Sequence, residues 1–369
     1  PENKEWMRTW GRSSNPGFLE FLSVPGSRRG TAFMSRLISL EYFLTGPSLV
    51  GFFFISGILG FLGSYFFVRA YEHAFPSRSG NRFLILFLFF LPSLAFWTSL
   101  LGKESWMFFL LGLITYSVAR LLREVNWPYL FVLLVGLSIV TLIRPPVGLT
   151  ILVSLFVCAC LYGYAWLRAL RPPAAILRPI GNILIIIFAG GLGVSFLFLQ
   201  QGSSLSLFGF LQPSSNALLS GGAPIEVLLD HAVGLHGGHA QALFRGSSLE
   251  ATISGVSFHE IIKFLPFAMF TFLFRPFIFE AHNALALAAA FDGTLLLLIV
   301  LARRRHLLQG MRSALTNQFL AFCFMMFILL TAGLSFELNF GIIVRHRTMV
   351  IPFLLIILAV PRNLKGRAS

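Results

Sequence analysis

Lys103 and Glu104 stand side by side near the end of Pro92-Ser-Leu-Ala-Phe-Trp-Thr-Ser-Leu-Leu-Gly-Lys-Glu-Ser-Trp106. On either side lie about 18 apolar-rich residues, enough to cross a bilayer, so the pair reads as the link between two membrane helices. Ionisable groups at that depth are costly unless they pair or line a wet cavity, which makes them functional candidates. The plainer alternative is a polar turn at the membrane surface, and Pro92, Trp97 and Trp106 also mark an interface.

Other charges recur in similar settings. Arg144 sits in Leu142-Ile-Arg-Pro-Pro146. Arg275, Glu280 and His282 sit in Leu273-Phe-Arg-Pro-Phe-Ile-Phe-Glu-Ala-His-Asn283, and Arg345-His346-Arg347 follows Glu337. Arginine suits a diphosphate, because its five donors are fixed in a plane and its charge survives burial. A carboxylate or histidine nearby can take a proton from a hydroxyl nucleophile. Lys103, Arg144, Arg275, Arg345 and Arg347 are therefore the candidate anion-binding residues, and Glu104, Glu280 and His282 the candidate bases. Such a set suits glycosyl transfer from a polyprenyl-diphosphate sugar, where the leaving group needs cations and the acceptor hydroxyl needs a base. Each piece has a simpler reading as well. Arg144-Pro145-Pro146 can merely stop a helix. Glu280 and His282 can pair with Arg275 as structural glue, and Asp292 can hydrogen-bond a neighbouring helix.

The elements that must position these groups follow from composition. The 369 residues are 56% hydrophobic, 15% aromatic and 11% charged, with 42 Phe and a mean hydropathy of +0.82. Repeated apolar runs near 20 residues predict an all-α polytopic membrane bundle. Spans are expected at 45–68, 83–101 (broken by Pro92), 105–122, 127–143, 147–167, 180–199, 284–302, 318–338 and 348–361. Residues 1–44 form an outer-face N-terminal segment with an interfacial helix around Met34–Leu44. The region 45–199 carries six spans. The region 200–283 is an extracytoplasmic loop, rich in Gly and Ser, followed by an apolar stretch at 261–281. The region 284–369 carries three spans and a cytoplasmic tail. The chain opens on Pro1 without a signal-peptide pattern, which reads as a fragment or processed chain lacking its first membrane segment.

The net charge of +14 does not point to nucleic acid. The links at 69–82, 120–126, 168–179, 303–312 and 362–369 hold more than half of the 28 Lys and Arg, against Glu72 and Glu124 alone. By the positive-inside rule these links are cytoplasmic. They share one side only if 261–281, interrupted by Pro266 and by Arg275-Pro276, is a re-entrant or interfacial hairpin. The expectation is then about nine crossings, N-terminus outside and C-terminus inside. All eight candidate residues fall at outer ends of spans, where they are expected to converge on one cavity.

No metal or cofactor is expected. Cys158, Cys160 and Cys323 fall inside spans, so neither a disulfide framework nor a zinc site is indicated. Asp230, His231, His236 and His239 match no zinc spacing. No Walker motif, dinucleotide fingerprint or nucleophile elbow is present.

The four runs quoted above, the last extended to Asn339-Phe-Gly-Ile-Ile-Val-Arg-His-Arg347, resemble segments of O-antigen polymerase-like (Wzy-type or EpsG-like) proteins of bacterial polysaccharide biosynthesis. The resemblance covers roughly residues 30–360 by pattern and order. It implies a glycan polymerase or glycosyltransferase using undecaprenyl-diphosphate-linked glycans at the outer face of the bacterial inner membrane. The implied partners are the polyprenyl-diphosphate-linked glycan, membrane lipid and other polysaccharide assembly proteins. The chain departs from lipid-dependent GT-C glycosyltransferases in having no acidic pair in its first outer segment, where Glu20 and Glu41 stand alone. Its long outer loop offers only Arg245 as a polymerase arginine. The alternative is a lipid-linked-glycan flippase or exporter component, and a third is a non-catalytic assembly scaffold.

Overall fold

The computed structural model describes residues 31–46, 48–76, 80–124, 126–169, 258–281, 284–335 and 340–361. The expected span at 180–199 lies outside the described residues. So do Glu20, most of the 200–260 insertion with Arg245 and its histidines, His282, Glu337 and the tail from 362.

Among the described residues every regular element is helical. In chain order these are α1 (Thr31–Thr45), α2 (Leu49–Ala74), α3 (Asn81–Phe90), α4 (Pro92–Ser99), α5 (Lys103–Leu121), α6 (Trp127–Ile143) and α7 (Pro145–Ala169). After the insertion come α8 (Phe258–Phe274), a 3-10 turn (Ile278–Glu280), α9 (Ala284–Ala302), α10 (Arg304–Ser313), α11 (Gln318–Leu334) and α12 (Phe340–Leu358). Each expected span within the described residues overlaps a helix or, for 83–101, a bent pair, and α12 starts well before the expected 348, so that Arg345 and Arg347 lie inside it. By length and apolarity, two helices among the described residues can cross a membrane, α2 and Gly341–Leu358 of α12. The number rises to four if the bent pairs α3–α4 and α10–α11 each count as one span. The helices at Trp127–Ile143 and Leu287–Ala302, among others, are apolar but shorter.

Local sequence explains where the helices stop. Leu91, held extended by the following Pro92, breaks α3 from α4 at a 52° bend. Pro92 then occupies the first position of α4, where a missing N–H costs nothing. Arg144 is extended for the same reason before Pro145. Ser48 caps α2 by accepting from Gly51 N at 3.2 Å, and Asn317 caps α11 by accepting from Leu320 N at 3.1 Å. Two details differ from expectation. Pro266 lies inside α8 without ending it, and the chain turns instead at Arg275-Pro276, a cis bond. The basic link 303–312 is itself a helix, α10, set 115° from α11.

Packing is organised around α2, α5 and α12. Helices α2 and α5 run side by side in the same direction, since Gly63 packs against Phe108 and Gly112 while His73, farther along α2, faces Arg120 and Arg123, farther along α5. Glycine allows this closeness: a Cβ on Gly112 would fall 2.5 Å from Gly63 O. One half of α2, including Val50, Phe54, Ile58 and Phe61, is exposed and apolar, as a lipid-facing surface requires. Helix α12 is the opposite case. Its spanning window is 78% buried, against 33% for α2, and Phe353 packs edge-on against both Phe67 and Phe322.

The bundle has two chemically distinct ends. At one, Tyr71 donates to Ala359 O at 2.7 Å, Arg303 donates to Leu358 O at 2.9 Å, and His73 faces Arg120 and Arg123. The basic links 69–82, 120–126 and 303–312 therefore gather there. The other end holds the turn at Leu100–Gly102, the α6–α7 junction at Arg144, the α8 turn at Arg275 and the first half of α12.

Candidate functional site

Glu104 is the centre of the second end. It lies in the first turn of α5 and is 3% exposed. Arg144 Nη2 donates to its Oε1 at 3.0 Å, and Arg345 Nη2 donates to its Oε2 at 2.7 Å. One carboxylate thus ties the α6–α7 junction to α12 across α5. Each arginine has five N–H donors and spends one of them in these bonds. Arg345 also lies over the Trp97 ring at 5.5 Å, so the short helix α4 supplies its platform. Gly102 keeps the corner open, because a Cβ there would fall 2.9 Å from Glu104 Oε2. Lys103 lies in the combined field of Arg144, Glu104 and Arg345, and His346 in that of Arg144, Arg345 and Lys103. Two arginines on one carboxylate, with Lys103 beside them, leave the node with excess positive charge, which suits an anionic ligand. Arg345 is 41% exposed and Arg144 18%, so the arginines reach the surface while the carboxylate beneath them does not.

The remaining candidates form a second node. Arg275 pairs with Glu280 through two bonds, Nε to Oε2 at 3.1 Å and Nη2 to Oε1 at 2.5 Å, and Phe277 N also donates to Oε2 at 2.9 Å. This closes the turn after α8. Arg347 is fully buried and donates through Nε to Phe272 O at 3.1 Å and through Nη2 to Arg275 O. It satisfies carbonyls that the end of α8 leaves open. Its Nη1 has no partner and lies close to Gly293, where an added Cβ would come within 3.3 Å of it. Next to that glycine, buried Asp292 accepts through Oδ1 from Ser93 N at 3.2 Å, at the start of α4, and its Oδ2 has no partner.

Hydrogen bonding sorts the expected site residues into two groups. Lys103, Glu104, Arg144 and Arg345 come together; Arg275, Glu280 and Arg347 form a separate group on the α8 side. The physical reason is helical geometry: residues two apart on α12 point about 200° from each other. His282 lies outside the described residues.

Glu41 is a residue that the sequence left standing alone. It is 1% exposed, takes a hydrogen bond from Trp106 Nε1 at 2.6 Å through Oε1, and has no partner at Oε2. Burial raises its carboxyl above the ordinary value of 4.5, and the Trp106 bond opposes that only in part. The available signal was an acid inside the amphipathic piece of α1 together with an interfacial Trp one turn from Lys103. Among the described residues no group of three or more His, Cys, Asp or Glu is placed to hold a metal ion. No protein-family model, no curated protein and no solved structure matches this chain.

Proposed function

We propose that this protein is a bacterial inner-membrane glycan polymerase or glycosyltransferase acting on polyprenyl-diphosphate-linked sugars at the extracytoplasmic face. The observation that carries the reading is the Glu104 node: two arginines and a lysine around one buried carboxylate, at the end of the bundle opposite the basic links. In the reaction the acceptor hydroxyl oxygen bonds to the anomeric carbon while the bond from that carbon to the diphosphate oxygen breaks. Arg144, Arg345 and Lys103 receive the charge that develops on the diphosphate. Both Glu104 oxygens already accept charge-assisted bonds, so we assign it to holding the arginines. Glu280 likewise accepts from Arg275 at both oxygens, which leaves His282 as the candidate to take the hydroxyl proton. The earlier resemblance to O-antigen polymerase-like proteins, and about nine crossings, belong to the same proposal.

A second reading, transport of a lipid-linked glycan, draws on one observation. A helix broken at Pro92 meets a buried acid, Asp292, and interrupted helices at mid-depth are how many transporters build their sites.

Purified protein in liposomes containing a lipid-linked oligosaccharide separates the two. The first reading expects longer glycans with release of polyprenyl diphosphate. It also expects Arg345→Lys to cost about ten- to hundredfold in rate, because a point charge loses planar donor geometry worth roughly 1.5–3 kcal/mol. Movement of the lipid-linked glycan across the bilayer without any new glycosidic bond would overturn it in favour of transport.

A further inference from the structure

The helix α10 has one committed face and one open face. On the committed side, at its start, Arg303 Nη1 donates to Leu358 O at 2.9 Å. His306 Nδ1 lies 2.9 Å from Val360 O, and Gln309 Nε2 donates to Pro361 O at 2.7 Å. Gly310 packs so closely on α12 that a Cβ there would fall 2.6 Å from the Ile357 side chain. These contacts satisfy carbonyls that the end of α12 leaves open, and they fix the rotation of α10 about its axis.

With the rotation fixed, the open face is determined. Leu308, Met311 and Leu315 are 54%, 41% and 76% exposed, and Arg304, Arg305 and Arg312 are exposed with them. At about 100° per residue, Arg304, Leu308 and Met311 fall in one strip, with Arg305 and Arg312 along its flank, and Leu315 follows in the turn just past the helix. No acid occurs between Arg303 and Asn317. The chain bends by 115° between α10 and α11, and Arg303 lies over the Phe83 ring at 3.9 Å, so α10 sits at the end of the bundle that also holds Tyr71.

We propose that this face is a binding surface for anionic phospholipid headgroups. Arg304, Arg305 and Arg312 pair with headgroup phosphates, and Leu308, Met311 and Leu315 enter the acyl boundary. An apolar strip flanked by arginines on a helix at a bundle end is the pattern of an interfacial helix. The absence of any acid makes the face complementary to a negatively charged lipid surface. A glycan-transferring site at the opposite end is not required for this reading.

The full chain in nanodiscs provides the test, with phosphatidylglycerol compared against phosphatidylcholine. Lipid retained after detergent transfer is read by native mass spectrometry, and thermal stability is read alongside. The wild type is expected to retain phosphatidylglycerol in preference and to be stabilised by it. Each interfacial arginine is worth about fivefold in binding. The triple variant R304Q/R305Q/R312Q should therefore lose about a hundredfold, while R304K/R305K/R312K, which keeps the charge, should retain most of the preference. Equal retention of both lipids by the wild type, or an unchanged preference in the glutamine variant, overturns the proposal.

Discussion

Arg345 and Arg347 stand two residues apart on α12 and hold different parts of the molecule. Arg345 reaches Glu104 at the start of α5, while Arg347 grips the carbonyls of Phe272 and Arg275 at the end of α8. A single helical turn therefore joins the cationic node to the α8 turn. The short helix α4 adds a second link, since its start is held by Asp292 and its Trp97 lies under Arg345.

The Glu104 node is expected to behave as one unit in stability measurements. Removing one partner of a buried ion pair costs about 3–5 kcal/mol, and the partly exposed Arg345 places Glu104→Gln toward the lower end of that range. The substitution leaves Arg144 facing Arg345 with no anion between them. Replacing Arg144 by Gln as well should recover part of the loss. The check is a double-mutant cycle on thermal unfolding in detergent, and strictly additive losses would rule out the shared carboxylate.

Glu41 makes a pH-dependent prediction. Its carboxyl titrates above 4.5 in the folded chain because burial disfavours the charged form. The folded state thus holds a proton that the unfolded state has released, and stability falls as pH rises through that window. Glu41→Gln keeps an oxygen for Trp106 but cannot ionise. Its melting temperature should exceed that of the wild type at neutral pH, with the gap closing below about pH 4.5. A gap independent of pH would mean that Glu41 ionises in the fold as it does in water.

Much of this architecture was readable in advance, and the failures have specific causes. Hydrophobic run lengths located the helices, and prolines 92 and 145 located two of the breaks. Of the two interruptions expected in 261–281, the one at Arg275-Pro276 is where the chain turns, whereas Pro266 lies within α8. The cluster of Lys103, Glu104, Arg144 and Arg345 was legible because charges are scarce in apolar sequence. Its separation from Arg275 and Arg347 was not, because span ends carry no information about helix rotation. Glu41 was invisible as a buried group because α1 is amphipathic in either setting, and only the Trp106 contact decides which face turns inward.

The two ends of the bundle can be told apart by labelling. Phe279 is 82% exposed beside the α8 turn, and Leu315 is 76% exposed just past α10. In a background with Cys158, Cys160 and Cys323 replaced, Phe279→Cys should react with an impermeant maleimide added outside intact cells. Leu315→Cys should react only after the membrane is opened. The reverse pattern would place the Glu104 node in the cytoplasm and remove the extracytoplasmic reaction.

The burial of α12 also bears on how the chain is made. Synthesis runs from the N-terminus, so α2 and α5 can pair early through Gly63 and Gly112. Helix α12 begins at residue 340 of 369 and carries Arg345, Arg347 and Phe353 into the centre. Until the ribosome has delivered it, Glu104 lacks Arg345 and the α8 carbonyls lack Arg347. The earlier helices must wait, with those polar groups uncovered, for a segment that is made after all of them. Assembly of the centre is for that reason completed only once α12 has been made, and a chain stalled before α12 presents an open groove to the insertion and quality-control machinery.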